Sequence, residues 1–208
     1  MIEGVRSQKF FSYLYPDFGH RIACIFEEYK QTHKMQLVIL ESIRTFKRQN
    51  DLYAKGRTMP GAIVTKARGG FSDHHYGIAL DAGFAGADPY LTKLAKSDRV
   101  EDRKRFEFYW GELGRIAEEH GCIWGGRWKG LGDKPHICIN YGPTMNDIYA
   151  FFSEHRDLTA LWNKFDRIMG IEVGKGYSSK DAPFKAVPYW YILGEQPNQQ
   201  GETDDEEI

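Results

Sequence analysis

An α+β fold is what this sequence predicts, on three observations. Helical and β-type hydrophobic patterns interleave unevenly, without the regular rhythm of βαβ units. The β-like stretches are few and short, and amphipathic helices flank them. At 208 residues, with 41% hydrophobic and 27% charged residues, the chain fits one globular domain with additions, not a collagen-like, wholly disordered or membrane-spanning class.

The elements follow in order. Phe18, Ile22, Ile25, Phe26 and Tyr29 recur at helical spacing over 18–31, with Asp17 placed as N-cap. MQLVILESI (35–43) reads as a strand, and 46–55 as a helix ending at Gly56. Residues 56–71, rich in glycine and basic side chains, read as a long loop of the kind that often carries function. A strand over 78–84, broken at Gly83, precedes a helix over 103–120 that buries Phe106, Tyr109, Trp110, Leu113, Ile116 and Ala117 and stops at Gly121. Two short β-like pieces (122–125 and 136–141) lie on either side of a glycine-rich turn. Thr144 caps one last long helix with apolar positions from Ile148 to Ile168. The division expected is a domain over 1–170, an extension over 171–195 packed on or beside it, and an acidic, disordered tail over 196–208.

Charge excludes some partners. Net charge is −1, and five of the 29 acidic residues fall in the last seven positions, so the remainder is only mildly basic. That excess is too small to argue for nucleic acid, though it suits an anionic polymer. No run approaches the ~20 apolar residues needed to cross a bilayer. The first residues lack the layout of a secretory signal, so synthesis in the cytoplasm without a signal peptide is expected. Cys24, Cys122 and Cys138 are too scattered for a disulfide framework and read as buried free thiols.

His74, His75 and His136 stand out by their neighbours. The segment Ser72-Asp73-His74-His75-Tyr76-Gly77-Ile78-Ala79-Leu80-Asp81 offers an imidazole and, seven residues on, a carboxylate; Asp133-Lys134-Pro135-His136 offers another pair. Two histidines and an aspartate are a set that catalytic zinc uses, although iron or manganese also accept such ligands. In an unbroken strand Asp133 and His136 would face opposite ways. Pro135 argues against a regular strand before His136, so a turn there brings Asp133 either to the site, as general base, or merely to the bend it fixes.

S-x-H-x-x-G-x-A-x-D (Ser72 to Asp81), W-G-G-x-W (Trp124 to Trp128) and D-x-P-H (Asp133 to His136) resemble the zinc peptidases of bacterial cell wall, among them D-alanyl-D-alanine carboxypeptidases and dipeptidases and phage L-alanyl-D-glutamate endopeptidases. Arg44-Thr45-Phe46, Gln49, Leu52-Tyr53-Ala54, Gly56-Arg57-Thr58, Pro60-Gly61 and Val64-Thr65 resemble the endopeptidase (endolysin) branch in particular. The resemblance implies a small, mainly antiparallel sheet carrying a zinc site flanked by helices. It implies one Zn2+ on His74, Asp81 and His136, Asp133 as general base and then acid, and Arg44 steadying the substrate carbonyl. Ser72, Gln49, His75 and Trp128 are expected to meet the substrate. The implied partner is the peptide stem of peptidoglycan, cut between L-alanine and D-glutamate for cell lysis, by a monomer that inserts into no membrane and binds no nucleic acid. Carboxypeptidase or dipeptidase activity, or a non-catalytic wall-binding module, is the alternative. His75 and Arg127 depart from the branch, which commonly has asparagine and aspartate there.

Overall fold

The computed structural model describes residues 5–175 and 183–195. Eight helices are described: α1 (Val5–Ser12), α2 (Pro16–His33), α3 (Phe46–Ala54), α4 (Thr92–Ala95), α5 (Val100–Glu119), α6 (Met145–His155), α7 (Leu158–Met169) and α8 (Tyr189–Leu193). Four strands, β1 (Leu37–Glu41), β2 (Ala79–Phe84), β3 (Ile123–Trp124) and β4 (His136–Cys138), form one antiparallel sheet in the order β1-β2-β4-β3. The α+β expectation holds.

The apolar stripes of α2 and α5 close over one face of this sheet. Phe18, Ile22, Ile25 and Tyr29 from α2 and Trp110, Leu113 and Ile116 from α5 are all but fully buried, together with Leu37, Ile39, Leu80, Ala82 and Phe84 from β1 and β2. Each buried Leu, Ile or Phe side chain among them contributes about 1.5–3 kcal/mol of transfer free energy. A second group, Tyr15, Phe152, Trp162 and Phe165, packs α6 and α7 beneath the segment that carries His74. No described helix is long and apolar enough to cross a membrane.

The structure departs from the sequence reading in three elements and one thiol. Helix α2 starts at Pro16, with Tyr15 as N-cap; Asp17 lies in the first turn and instead holds Arg21 and Tyr141. Strand β2 runs unbroken through Gly83, where a Cβ would meet Leu40 at 2.8 Å and the Pro89 carbonyl at 2.9 Å, so glycine serves a close approach there. The single last helix is two. Arg156 takes left-handed backbone (φ 51°), and the Asp157 carboxylate accepts from Thr159 N–H as a new N-cap, with Leu158 following Phe152 by six residues and losing helical phase. Of the three thiols Cys24 is exposed; Cys122 and Cys138 are buried. The expected disordered tail lies outside the described residues.

Candidate metal centre

Three backbone features assemble the site. First, residues 73–76 form a single 3-10 turn that ends at Gly77 (φ 71°), whose added Cβ would meet the Tyr13 carbonyl at 2.8 Å. The turn is stitched to the chain after β1: His74 Nδ1 lies 2.7 Å from the Ser42 carbonyl, Arg44 N–H donates to the His74 carbonyl, and His75 Nδ1 lies 2.6 Å from the Arg44 carbonyl. A carbonyl only accepts, so Nδ1 of His74 carries the proton and Nε2 presents a lone pair. Trp162 Nε1 donates to the Tyr76 carbonyl and holds the turn from below.

Second, sheet register sets Asp81 of β2 directly opposite His136 of β4, and an irregularity in β1 between Ile39 and Glu41 sets Glu41 opposite Asp81 on the other side. Cross-strand partners share a face, so three polar side chains line up across the sheet. Third, the chain from Gly125 to His136 folds tightly: Asp133 N–H donates to the Gly125 carbonyl and His136 N–H to the Asp133 carbonyl. A Cβ on Gly125 would meet that Asp133 carbonyl at 2.6 Å.

The result is a triangle of buried donor atoms. His74 Nε2 and His136 Nδ1 are 3.2 Å apart, and each is 3.4 Å from Asp81 Oδ1. Asp81 Oδ1 is buried yet in hydrogen-bond geometry to neither imidazole. Zinc–ligand bonds of about 2.0–2.1 Å at tetrahedral angles leave ligand atoms about 3.3 Å apart. Three possible ligand atoms at that spacing fit a small divalent cation. Burial opposes the charge on Asp81, but the adjacent His74 and His136 outweigh it and hold its carboxyl well below the usual range.

A cavity of about 210 Å³ opens over the triangle, lined by Arg44, Ser72, Asp73, Trp128 and Asp133 among others. Burial first, and then the charge on Asp81, push the Asp133 carboxyl above its ordinary pKa. That is the direction a group needs in order to give a proton back near neutrality.

The same stretch of chain is where known proteins match. Residues 65–139 match the model of a family described as D-alanyl-D-alanine carboxypeptidase. Over 103 residues the chain is 41% identical to the peptidoglycan L-alanyl-D-glutamate endopeptidase CwlK of Bacillus subtilis (strain 168), a match covering 50% of this chain. The matched region spans 60% of the length of CwlK. Among solved structures, DacB from Streptococcus pneumoniae D39 is 13% identical with a TM-score of 0.42, over 88% of this chain and 84% of that one, too slight a likeness to carry an argument.

The structure places the other expected residues less uniformly than the peptidase motifs suggest. Arg44 does reach the site, but as a clamp. Its Nη2 donates to Glu41 at 2.5 Å and to Asp81 Oδ2 at 2.9 Å, and its Nη1 to Gln49 at 3.0 Å. The guanidinium thus fixes the Asp81 carboxylate with three of its five N–H donors engaged, leaving Nε–H, buried and unpartnered, and the second Nη1–H. Gln49 is fully buried, accepting from Arg44 and donating to Thr65 Oγ1 and the Ala67 carbonyl, so its amide braces the loop and leaves nothing for a substrate. His75 also turns away: its ring packs 4.5 Å from Phe46, is fully buried, and does not line the cavity. The 3-10 turn over residues 73–76 is what points His74 and His75 apart. Ser72 and Trp128 do line the cavity, Trp128 with its ring 4.8 Å from that of His136.

Two acidic residues went unused in reading the sequence. Glu41, the only carboxylate in the first strand, shares Arg44 with Asp81. Asp73 lines the cavity and groups with His136 and Cys138, one ligand atom of each lying within 4.8 Å of the others. A lone acid in an apolar strand is the signal that would have found Glu41.

Proposed function

We propose that this chain is a zinc-dependent peptidase that hydrolyses an amide bond in the peptide stem of bacterial peptidoglycan, between L-alanine and D-glutamate, in the service of cell lysis. The observation that carries the reading is the buried triangle of His74 Nε2, Asp81 Oδ1 and His136 Nδ1 beneath a cavity that also holds a carboxylate, Asp133. The names of the matched family and of CwlK support the substrate.

His74, Asp81 and His136 would hold one Zn2+ per chain. When bound there, zinc supplies Lewis acidity and lowers the pKa of water toward neutrality. Asp133, its affinity for a proton raised by burial, takes the proton from the attacking water and hands it to the leaving amine. Arg44 orients Asp81 through Oδ2, and one of its two unengaged N–H groups, on Nε or Nη1, is the donor for a developing oxyanion. Ser72 and Trp128 border the substrate's path. The division that goes with this reading is a peptidase domain over 1–170, an extension over 171–195 and an acidic tail over 196–208.

Two measurements test it together. Metal analysis of the purified chain should find one zinc, reduced sharply in His74→Ala, Asp81→Ala and His136→Ala. Mass spectrometry of digested peptidoglycan should find new amino-terminal glutamate. Release of free D-alanine instead would move the activity to the carboxypeptidase described for the family, and full zinc in all three variants would refute the ligand assignment.

A further inference from the structure

Two further cavities share Trp128 and other lining residues with the cavity over the triangle, and the two differ in charge. One is a cleft of about 640 Å³ between Ile63–Ala67 and Trp128–Asp133, sharing Val64, Thr65 and Asp133 with the central cavity. Lys66 and Lys129 line it, both exposed, and among the described residues neither makes a hydrogen bond or ion pair. The other is a cavity of about 350 Å³ whose one carboxylate is Asp73 and which holds no cation. Asp133 borders the lysine side and not the Asp73 side.

That last placement sets a direction. A group that returns a proton to a leaving amine must stand beside the residue that carries the amine. The leaving residue therefore lies in the cleft that Asp133 borders, between two unpaired ammonium groups. We infer that this cleft is a subsite for a carboxylate-bearing leaving residue, with Lys66 and Lys129 as its counterions, and that Asp73 across the site turns the same carboxylate away. The inference rests on the peptidase reading above and adds the residues that choose its substrate and its orientation. Two stem residues offer such a carboxylate: a glutamyl residue through its free α-carboxyl group, and a terminal alanine.

Calorimetric titration of the zinc-loaded full chain separates these. The ligands are D-γ-glutamyl-L-lysine, the same dipeptide with its α-carboxyl group amidated, and D-alanine. The parent should bind the carboxylate dipeptide about three- to tenfold more tightly than the amide, the range of one or two exposed ion pairs. Raising salt should shrink the ratio. The Lys66→Gln/Lys129→Gln chain should bind both dipeptides alike. Lysine-dependent binding of D-alanine with no preference between the dipeptides would assign the subsite to a terminal carboxylate. Equal affinities in the parent, no binding of any of the three, or a preference that survives in the double variant would overturn the subsite. Turnover keeps the two readings apart: hydrolysis of stem peptides without a carboxylate preference removes the subsite alone. A lysine-dependent preference with no hydrolysis removes the peptidase reading and leaves a carboxylate-binding cleft.

Discussion

Replacing His75 by asparagine should flatten the acid limb of the stability profile. In the folded chain His75 is fully buried against Phe46, and this desolvation lowers its pKa to about 3 despite the hydrogen bond to the Arg44 carbonyl. An unfolded imidazole has a pKa of about 6.5. Because the folded value is depressed, the stabilisation is complete above pH 6.5 and is lost as pH falls toward 3. At pH 5 the unfolded state has taken a proton that the folded state refuses, and the linkage relation gives a loss of about 2 kcal/mol relative to pH 8. For a chain of this size that is about 4–8 °C in Tm. Asparagine retains a donor for the Arg44 carbonyl and cannot titrate. It leaves space beside Phe46, so His75→Asn should be less stable at pH 8, by about 1–2 kcal/mol for the lost packing. The assay is thermal unfolding of both chains at pH 8 and pH 5 with a chelator present, which keeps metal release out of the comparison. The parent should lose the additional 4–8 °C between the two pH values. Parallel losses in the two chains would refute the assignment of a buried neutral imidazole.

Three further outcomes follow from the geometry. Asp133→Ala should keep its zinc, measured by metal analysis, while turnover falls about 10²- to 10⁴-fold; loss of zinc equal to that of His136→Ala would make Asp133 a ligand. Arg44→Lys should weaken zinc affinity about 10- to 100-fold, because one ammonium cannot hold Glu41, Asp81 and Gln49 together; competition with a chromogenic chelator reads this, and unchanged affinity would return Arg44 to a role in substrate binding alone. Gly114→Ala should destabilise the chain by about 1–3 kcal/mol despite the better helix former. The new Cβ would lie 2.2 Å from the ring of Trp124, which its hydrogen bond to the Lys134 carbonyl holds in place. Denaturant unfolding measures it, and a gain in stability would show that Trp124 moves freely.

How far the site was legible depended on what each residue uses for partners. That His74, Asp81 and His136 come together was legible because their chemistry is local in type: few residues offer such lone pairs, and short β-like pieces around them allowed a shared sheet. Their alignment could not be read, since register and the irregularity before Glu41 emerge only when strands pair. Arg44 and Gln49 were found by position in a motif, but their occupations are tertiary. Gln49 is spent on Thr65 and Ala67, sixteen and eighteen residues away, and no local pattern announces that. The break between α6 and α7 was visible only as a six-residue gap in apolar spacing, which an uninterrupted periodicity count passes over.

Phe184 has a consequence for anyone who would exchange parts of this protein. Its ring fills a notch on α2 so closely that a Cβ on Gly19 would come within 2.3 Å of it, and Val187 and Ile192 are buried nearby. Lys185 N–H donates to the Ser12 carbonyl, and Gly194 lies against Lys47 and Thr45, the residues that open α3 and so support Gln49. A graft joined after Gly170 would uncover that notch and free the start of α3 together, exposing apolar surface while slackening the brace behind Arg44. The seam for a chimera therefore lies past Glu195, where the last described backbone hydrogen bond, from Glu195 N–H to the Trp190 carbonyl, has already been made.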